Sequence, residues 1–314
     1  MNALITNDAV VLGLLLATLA LIFHFSSLPK FAGFFKIIPS LLLCYFLPAA
    51  YNSLGLIDGE SSNLYFVASR YLLPASLVLL CLSIDLKGIW NLGPKALIMF
   101  FTATFGIVIG GPLALWAVSF IEPSVLGGDS PEAFWRGLST VAGSWIGGGA
   151  NQAALKEISG TLDSQFSAML IVDVFVANLW MPFLLVGAGM SAILDRKLKA
   201  DSSAVDELKE KVEAFQLGIA RVPSFQDLMI IAGIAFGAVA VSHALADGLA
   251  PGFSAWFTRI KTANPDSFVQ YLSSLEGGFF WLVVAATAIG IGLSFTKLRN
   301  YEGAGASKTG RGFL

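Results

Sequence analysis

Charge is what this sequence has least of. Only 13% of its 314 residues are Asp, Glu, Lys or Arg, against about 25% in a typical soluble domain. So few charges cannot cover a water-facing surface of this size, and 56% of the residues are apolar, with a mean hydropathy of +0.75. A soluble globule is excluded, and an all-α, polytopic membrane protein with the lipid bilayer as its partner follows. A net charge of −2 offers a polyanion nothing to bind, which excludes nucleic acid.

Cysteine and histidine are scarce too. Cys44 and Cys81 lie in apolar runs without CxxC spacing, so no disulfide framework is expected. His24 and His243 are far apart, each near the end of an apolar run, and read as packed or interfacial residues rather than metal ligands. GxSxG, HExxH and Walker-A spacings are missing, so no catalytic residue is assigned and no enzyme is expected. A positive leader is also lacking: MNALITND holds Asp8 and no Lys or Arg, which makes the first apolar run a membrane helix with an outer N-terminus, not a cleaved signal.

What the chain does have is apolar length. Seven runs, at 9–26, 37–57, 64–84, 94–121, 164–191, 226–248 and 276–296, satisfy the requirement of roughly 20 residues for a span. An eighth, 133–158, is interrupted by glycines. From 192 to 225 the character turns polar, with Val205, Leu208, Val212 and Phe215 recurring at spacings of three and four, so an amphipathic surface helix is predicted as linker. A weaker polar stretch, 250–274, separates the last two runs. The chain thus divides into a first membrane repeat (1–191), a cytoplasmic linker (192–225) and the start of a second repeat (226–314).

Lys and Arg placement orients the chain. Lys30, Lys36, Lys87 and Lys95 lie on alternate loops, with Asp58, Glu60, Glu122, Asp129 and Glu132 on the others. If 133–158 crosses, the basic linker falls outside. If it enters and returns, 14 of the 19 Lys and Arg lie inside. The charges favour a re-entrant hairpin, and five crossings before the linker then predict two halves of opposite orientation. Pro74 and Pro182 are expected to bend their helices. Asp85 and Lys87 read as a solvated pair, and Glu302 as a loop residue or helix start.

Two stretches could carry chemistry. In RGLSTVAGSWIGGGANQAALKEISG, Gly143 and the triplet Gly147, Gly148 and Gly149 break a helical pattern, at about 1 kcal/mol per glycine relative to alanine. Broken backbone at membrane depth is tolerated only where protein or a watery cavity satisfies it, and the freed amides and carbonyls are ligands for anions and Na+. Ser144 precedes the triplet; Asn151 and Gln152 follow it. Small residues also permit close helix packing, but a triplet followed by two amides exceeds what packing needs. Asp173 is an acid deep in run 164–191, where it suits cation coordination, Na+ included, or proton carriage; a structural hydrogen bond to a neighbouring helix is the alternative. Asn178 lies about 140° further round that helix and is the weaker candidate.

GSWIGGGANQAALKE, VDVFVANLWM and FTKLRNYEGAGASK together resemble the DUF819 (YjcL-like) family of integral membrane proteins. The resemblance implies a bacterial inner-membrane protein related to the superfamily of cation/proton antiporters and bile-acid symporters. It also implies an inverted-repeat, transporter-like helical bundle with an interrupted helix in each half. Family members continue past this point with a second glycine- and asparagine-rich motif, so the C-terminal half is expected to be truncated. The reading is a secondary transporter of a small organic solute or ion, coupled to Na+ or H+, with a homodimer admitted. A channel built on the re-entrant loop and an assembly subunit without flux are the rivals.

Overall fold

The computed structural model describes residues 3–313 apart from 39, 60–61, 92, 129, 191–192, 194–195, 198–209, 212, 216 and 265–266. Its main helices are α1 (Asp8–Ser27), α2 (Ser40–Ser53), α3 (Leu64–Leu82), α4 (Gly93–Ser119), α5 (Phe134–Gly147), α6 (Gly149–Ser159), α7 (Asp163–Gly189), α8 (Phe225–Ala263), α9 (Gly278–Ser294) and α10 (Ala306–Gly312). Among the described residues the β pairing is a single bridge, Ile5 to Ile57. Among the described residues five helices are long and apolar enough to cross a bilayer, α1, α3, α4 (over Leu97–Ser119), α7 and α8, and α9 with the bent segment after it brings the number to as many as six. No residue of Leu97–Ser119 is buried in the protein, and Phe100, Phe101, Phe105 and Trp116 all point outward. An apolar surface so continuous requires lipid around it. The protein is an integral membrane protein.

Two expected spans are not single long helices among the described residues. Run 37–57 yields α2, 14 residues or about 21 Å long, short of the roughly 30 Å hydrocarbon core. Its start is delayed because Ile38 is extended, as the residue before a proline prefers to be. Run 276–296 yields α9, which meets a 3-10 segment, Lys297–Ala304, at 96°. The polar joint expected at 250–274 is largely helix instead, since α8 continues to Ala263. At 39 residues it is about 58 Å long and must project beyond the apolar layer, where Lys261 pairs with Glu276 at 2.5 Å. Of the amphipathic linker, Val205, Leu208 and Val212 lie outside the described residues. Its far end is tied down: Arg221 N–H donates to the Gly303 carbonyl at 3.0 Å, and Arg221 pairs with Asp227 at 2.7 Å, whose carboxylate completes a capping box with Ser224 at the start of α8.

The core sits where α3, α8, α9 and α10 meet. Ala75, Leu79 and Leu82 pack with Ile231, Ala235, Val239, Ala304 and Ala306, and Val78 with Ala238 and Ala286. Small residues bring these backbones together: a Cβ on Gly290 would lie 2.8 Å from the Val78 carbonyl oxygen, so α9 can cross α3 only with glycine there.

Pro74 acts on α3 through the hydrogen bond it cannot make. Lacking an N–H, it leaves the carbonyl of Arg70, four residues earlier, without its helical donor. The helix adjusts with a π turn over Ala68–Leu72, and His243 of α8 brings its Nε2 to the Arg70 oxygen at 3.0 Å. A carbonyl only accepts, so Nε2 carries the proton. His243→Ala should therefore cost about 1–3 kcal/mol by stranding a half-buried acceptor. The loss should shrink in a Pro74→Ala background, where residue 74 regains its own donor. Thermal unfolding of the four proteins in detergent measures this cycle; equal losses in both backgrounds would refute the coupling.

Candidate functional site

The glycine-rich stretch folds as a hairpin of two short helices, α5 and α6, that turn back on each other at Gly148. Its base is closed by the Arg136 guanidinium on the Ser159 carbonyl and by the Thr161 hydroxyl on the Arg136 carbonyl at 3.1 Å. Both ends therefore lie together, as a segment that enters and returns requires. Gly143 does not break the helix as expected. It remains inside α5, and its missing side chain lets α6 approach: a Cβ there would lie 2.5 Å from Leu155 Cδ1 and 3.1 Å from the Asn151 carbonyl. Gly137 does the same against Met169 of α7.

The break is confined to Gly148, whose φ of 87° and ψ of −173° belong to a region open almost only to glycine. Its N–H still reaches the Ser144 carbonyl at 2.7 Å, and its carbonyl accepts from the Asn151 and Gln152 amides at 3.0 and 3.1 Å. No main-chain hydrogen bond crosses the break from Gly149 or Ala150, so the first amides of α6 and the last carbonyls of α5 are left for other partners. Gly147, Gly148 and Gly149 are exposed at the tip. The Asn151 amide folds over Gly147, occupying the place a Cβ would take. Gln152 is buried, and its Nε2 has no hydrogen-bond partner among the described residues.

Asp173 comes to this tip from α7. It is buried; the Ser144 hydroxyl donates to Oδ2 and the Trp145 indole N–H to Oδ1, both at 2.6 Å. It lies ten residues after Asp163, about 15 Å along the helix. Among the described residues no cation pairs with it. Asn178 is not brought to the tip. Its Nδ2 donates to the Val174 carbonyl of its own helix at 2.8 Å, and the residue is exposed.

Trp145 and the charges at the hairpin base are functional neighbours that the sequence did not single out. Lys156 is buried; its Nζ donates to the Tyr65 hydroxyl at 2.7 Å, pairs with Asp163 and lies 4.2 Å from the Tyr65 ring centroid. Glu157 accepts from that hydroxyl and pairs with Arg70 at 3.2 Å, whose guanidinium stacks 4.4 Å over Phe279 of α9. This network straps α6 to α3, α7 and α9. A signal was present: Arg70 is a charge six residues into an apolar run, and such charges carry partners. Glu157→Gln should lower stability by about 1.5–3 kcal/mol, the scale of charge-assisted hydrogen bonds, read as a fall in Tm in detergent.

Residues 13–314 match the family described as "Protein of unknown function (DUF819)". The chain belongs to this family. No curated protein and no solved structure matches it. In this DUF819 chain the family match spans both the hairpin and the helices that hold it, so the tip described above lies well within the shared region. Among the described residues no group of three or more His, Cys, Asp or Glu is placed to hold a metal ion.

Proposed function

We infer that this DUF819 protein is a secondary transporter, coupled to H+ or Na+, that moves a small organic solute or ion across the bacterial inner membrane. One observation carries the reading: Asp173 is a buried carboxylate, ten residues into a helix long and apolar enough to cross a bilayer, and among the described residues its partners are neutral donors. An isolated buried charge is strongly disfavoured, so the site reaches electrical balance by taking a proton or a small cation, which is the elementary act of coupling. The exposed backbone of Gly147–Gly149, with Ser144, Asn151 and Gln152, supplies donors and acceptors beside it for the solute. The exposed tip also suits alternating access, since it adjoins open space while its base is strapped to the core. An inverted repeat, with the second half beginning after the linker, completes the reading; the basic linker and loops support it.

The test is a thermal-shift screen of the purified full chain in detergent, varying Na+, pH and a set of small organic anions. A Na+- or pH-dependent Tm that a particular anion enhances supports coupled transport. A Tm indifferent to every cation and pH between the extremes of stability overturns it. Single-channel currents in planar bilayers would instead make the tip a pore lining.

A further inference from the structure

Away from the hairpin, one cavity combines room with unbalanced charge. It encloses about 350 Å³ where the turn after α3, the 3-10 segment after α9 and Phe215 of the linker converge. Volumes from about 300 Å³ upward accommodate small-molecule ligands. Lys87, Lys297 and Arg299 line it, opposed by the single carboxylate of Asp85, with the Asn300 side chain at the rim. The Gly88 amide, then Arg299, hold Asp85 below the usual carboxylate range, so its negative charge counts in full. The lining is still two charges positive.

Arg299 is held for a task it does not complete within the protein. Its guanidinium lies 4.4 Å over the Phe215 ring and its Nη2 is 3.4 Å from Asp85, which together fix the plane of the fork. Its Nε is buried without a hydrogen-bond partner among the described residues, a donor that should not stay unsatisfied. Lys87 and Lys297 are exposed, and among the described residues neither forms an ion pair. A fixed arginine fork with two mobile ammonium groups around it suits a tetrahedral dianion: the guanidinium gives directional hydrogen bonds and the lysines neutralise the remainder. A phosphate monoester carries about −1.5 to −2 charges at pH 7, which matches the excess.

We propose that this cavity binds a phosphate monoester, seated on Arg299 with Lys87 and Lys297 as neutralising partners. Because Phe215 is one wall and Arg221 anchors the linker's end to Gly303 and Asn300 beside it, the bound ligand clamps the linker against the bundle. The site is independent of the coupling chemistry at Asp173.

Two sources present this chemistry, a soluble phosphate ester and a phosphatidic acid headgroup, and two arms separate them. In the first, the full chain in detergent is titrated with inorganic phosphate against chloride at matched ionic strength. In the second, native mass spectrometry counts lipids retained from nanodiscs of phosphatidylcholine with and without phosphatidic acid. Saturable phosphate stabilisation, or selective retention of phosphatidic acid, supports the site and identifies its source. Either response should weaken by about tenfold or more in Arg299→Gln. Because Arg299 also supports the fold, Lys87→Gln combined with Lys297→Gln serves as a second variant that removes charge without removing a packed group. No response in either arm, or responses that survive both variants unchanged, overturns the proposal.

Discussion

Replacing Asp173 by Asn should abolish coupled flux while leaving the protein folded and inserted. The two donors at the carboxylate explain why this substitution is mild for the structure. Trp145 can only donate, and an Asn oxygen can accept from it at the position Oδ1 now holds. Ser144 can donate or accept, so its hydroxyl can turn to receive the new amide N–H. The hydrogen bonds are conserved in number, and Tm should change little. What disappears is the charge, and with it the capacity to carry a proton or ligate a cation. Any Na+-dependence of wild-type stability should vanish, and uptake into proteoliposomes should drop by about 100-fold or more, in line with loss of an essential proton-transfer group. Asp173→Leu is the structural contrast: it takes the acceptor from two part-buried donors and should lower Tm by more than Asp173→Asn does, by up to about 1–3 kcal/mol of stability. Wild-type coupling in a well-folded Asp173→Asn protein would end the transport assignment to this residue.

The glycine triplet makes a second, sharper prediction, because its three members do different work. Alanine at Gly148 must adopt a φ of 87°, although nothing lies within 4 Å of the added Cβ. The penalty is therefore pure backbone strain, about 1–3 kcal/mol, and the hairpin should reopen or straighten to relieve it. Alanine at Gly147 meets the Asn151 amide and should displace that side chain from the tip, harming ligand response more than stability. Alanine at Gly149 meets nothing and needs no unusual φ. It sits at the start of α6 and should be neutral, or stabilising by up to about 1 kcal/mol through helix propensity. Tm values in the order Gly149→Ala, Gly147→Ala, Gly148→Ala, from highest to lowest, are expected. Three equal values would mean that the triplet serves only packing.

How much of this was visible beforehand depends on the kind of interaction involved. The membrane class, the hairpin's position and the depth of Asp173 follow from sums over short windows: apolar length, glycine density, distance from the ends of a run. A turn within the glycine-rich stretch was legible because three adjacent glycines interrupt its helical pattern, and the count of basic residues favours its entering and returning. Which glycine breaks was not, since Gly143 stays helical where α6 packs closely against it, while Gly148, with nothing packed against it, takes a positive φ. Asn178 was a reasonable polar candidate by depth, yet its amide returns to its own helix, a choice made by which face α7 turns to the hairpin.

The chain's composition alone determined its solvent, and its glycine spacing determined where the backbone would turn. Tertiary structure alone decided that Asp173 meets Ser144 and Trp145, 29 and 28 residues away, that Lys156 finds Tyr65 across 91, and that His243 repairs the Arg70 carbonyl across 173. Solvent preference is additive along a chain and survives any rearrangement of it. A hydrogen bond between distant residues exists only in the one packing that brings its two atoms within reach.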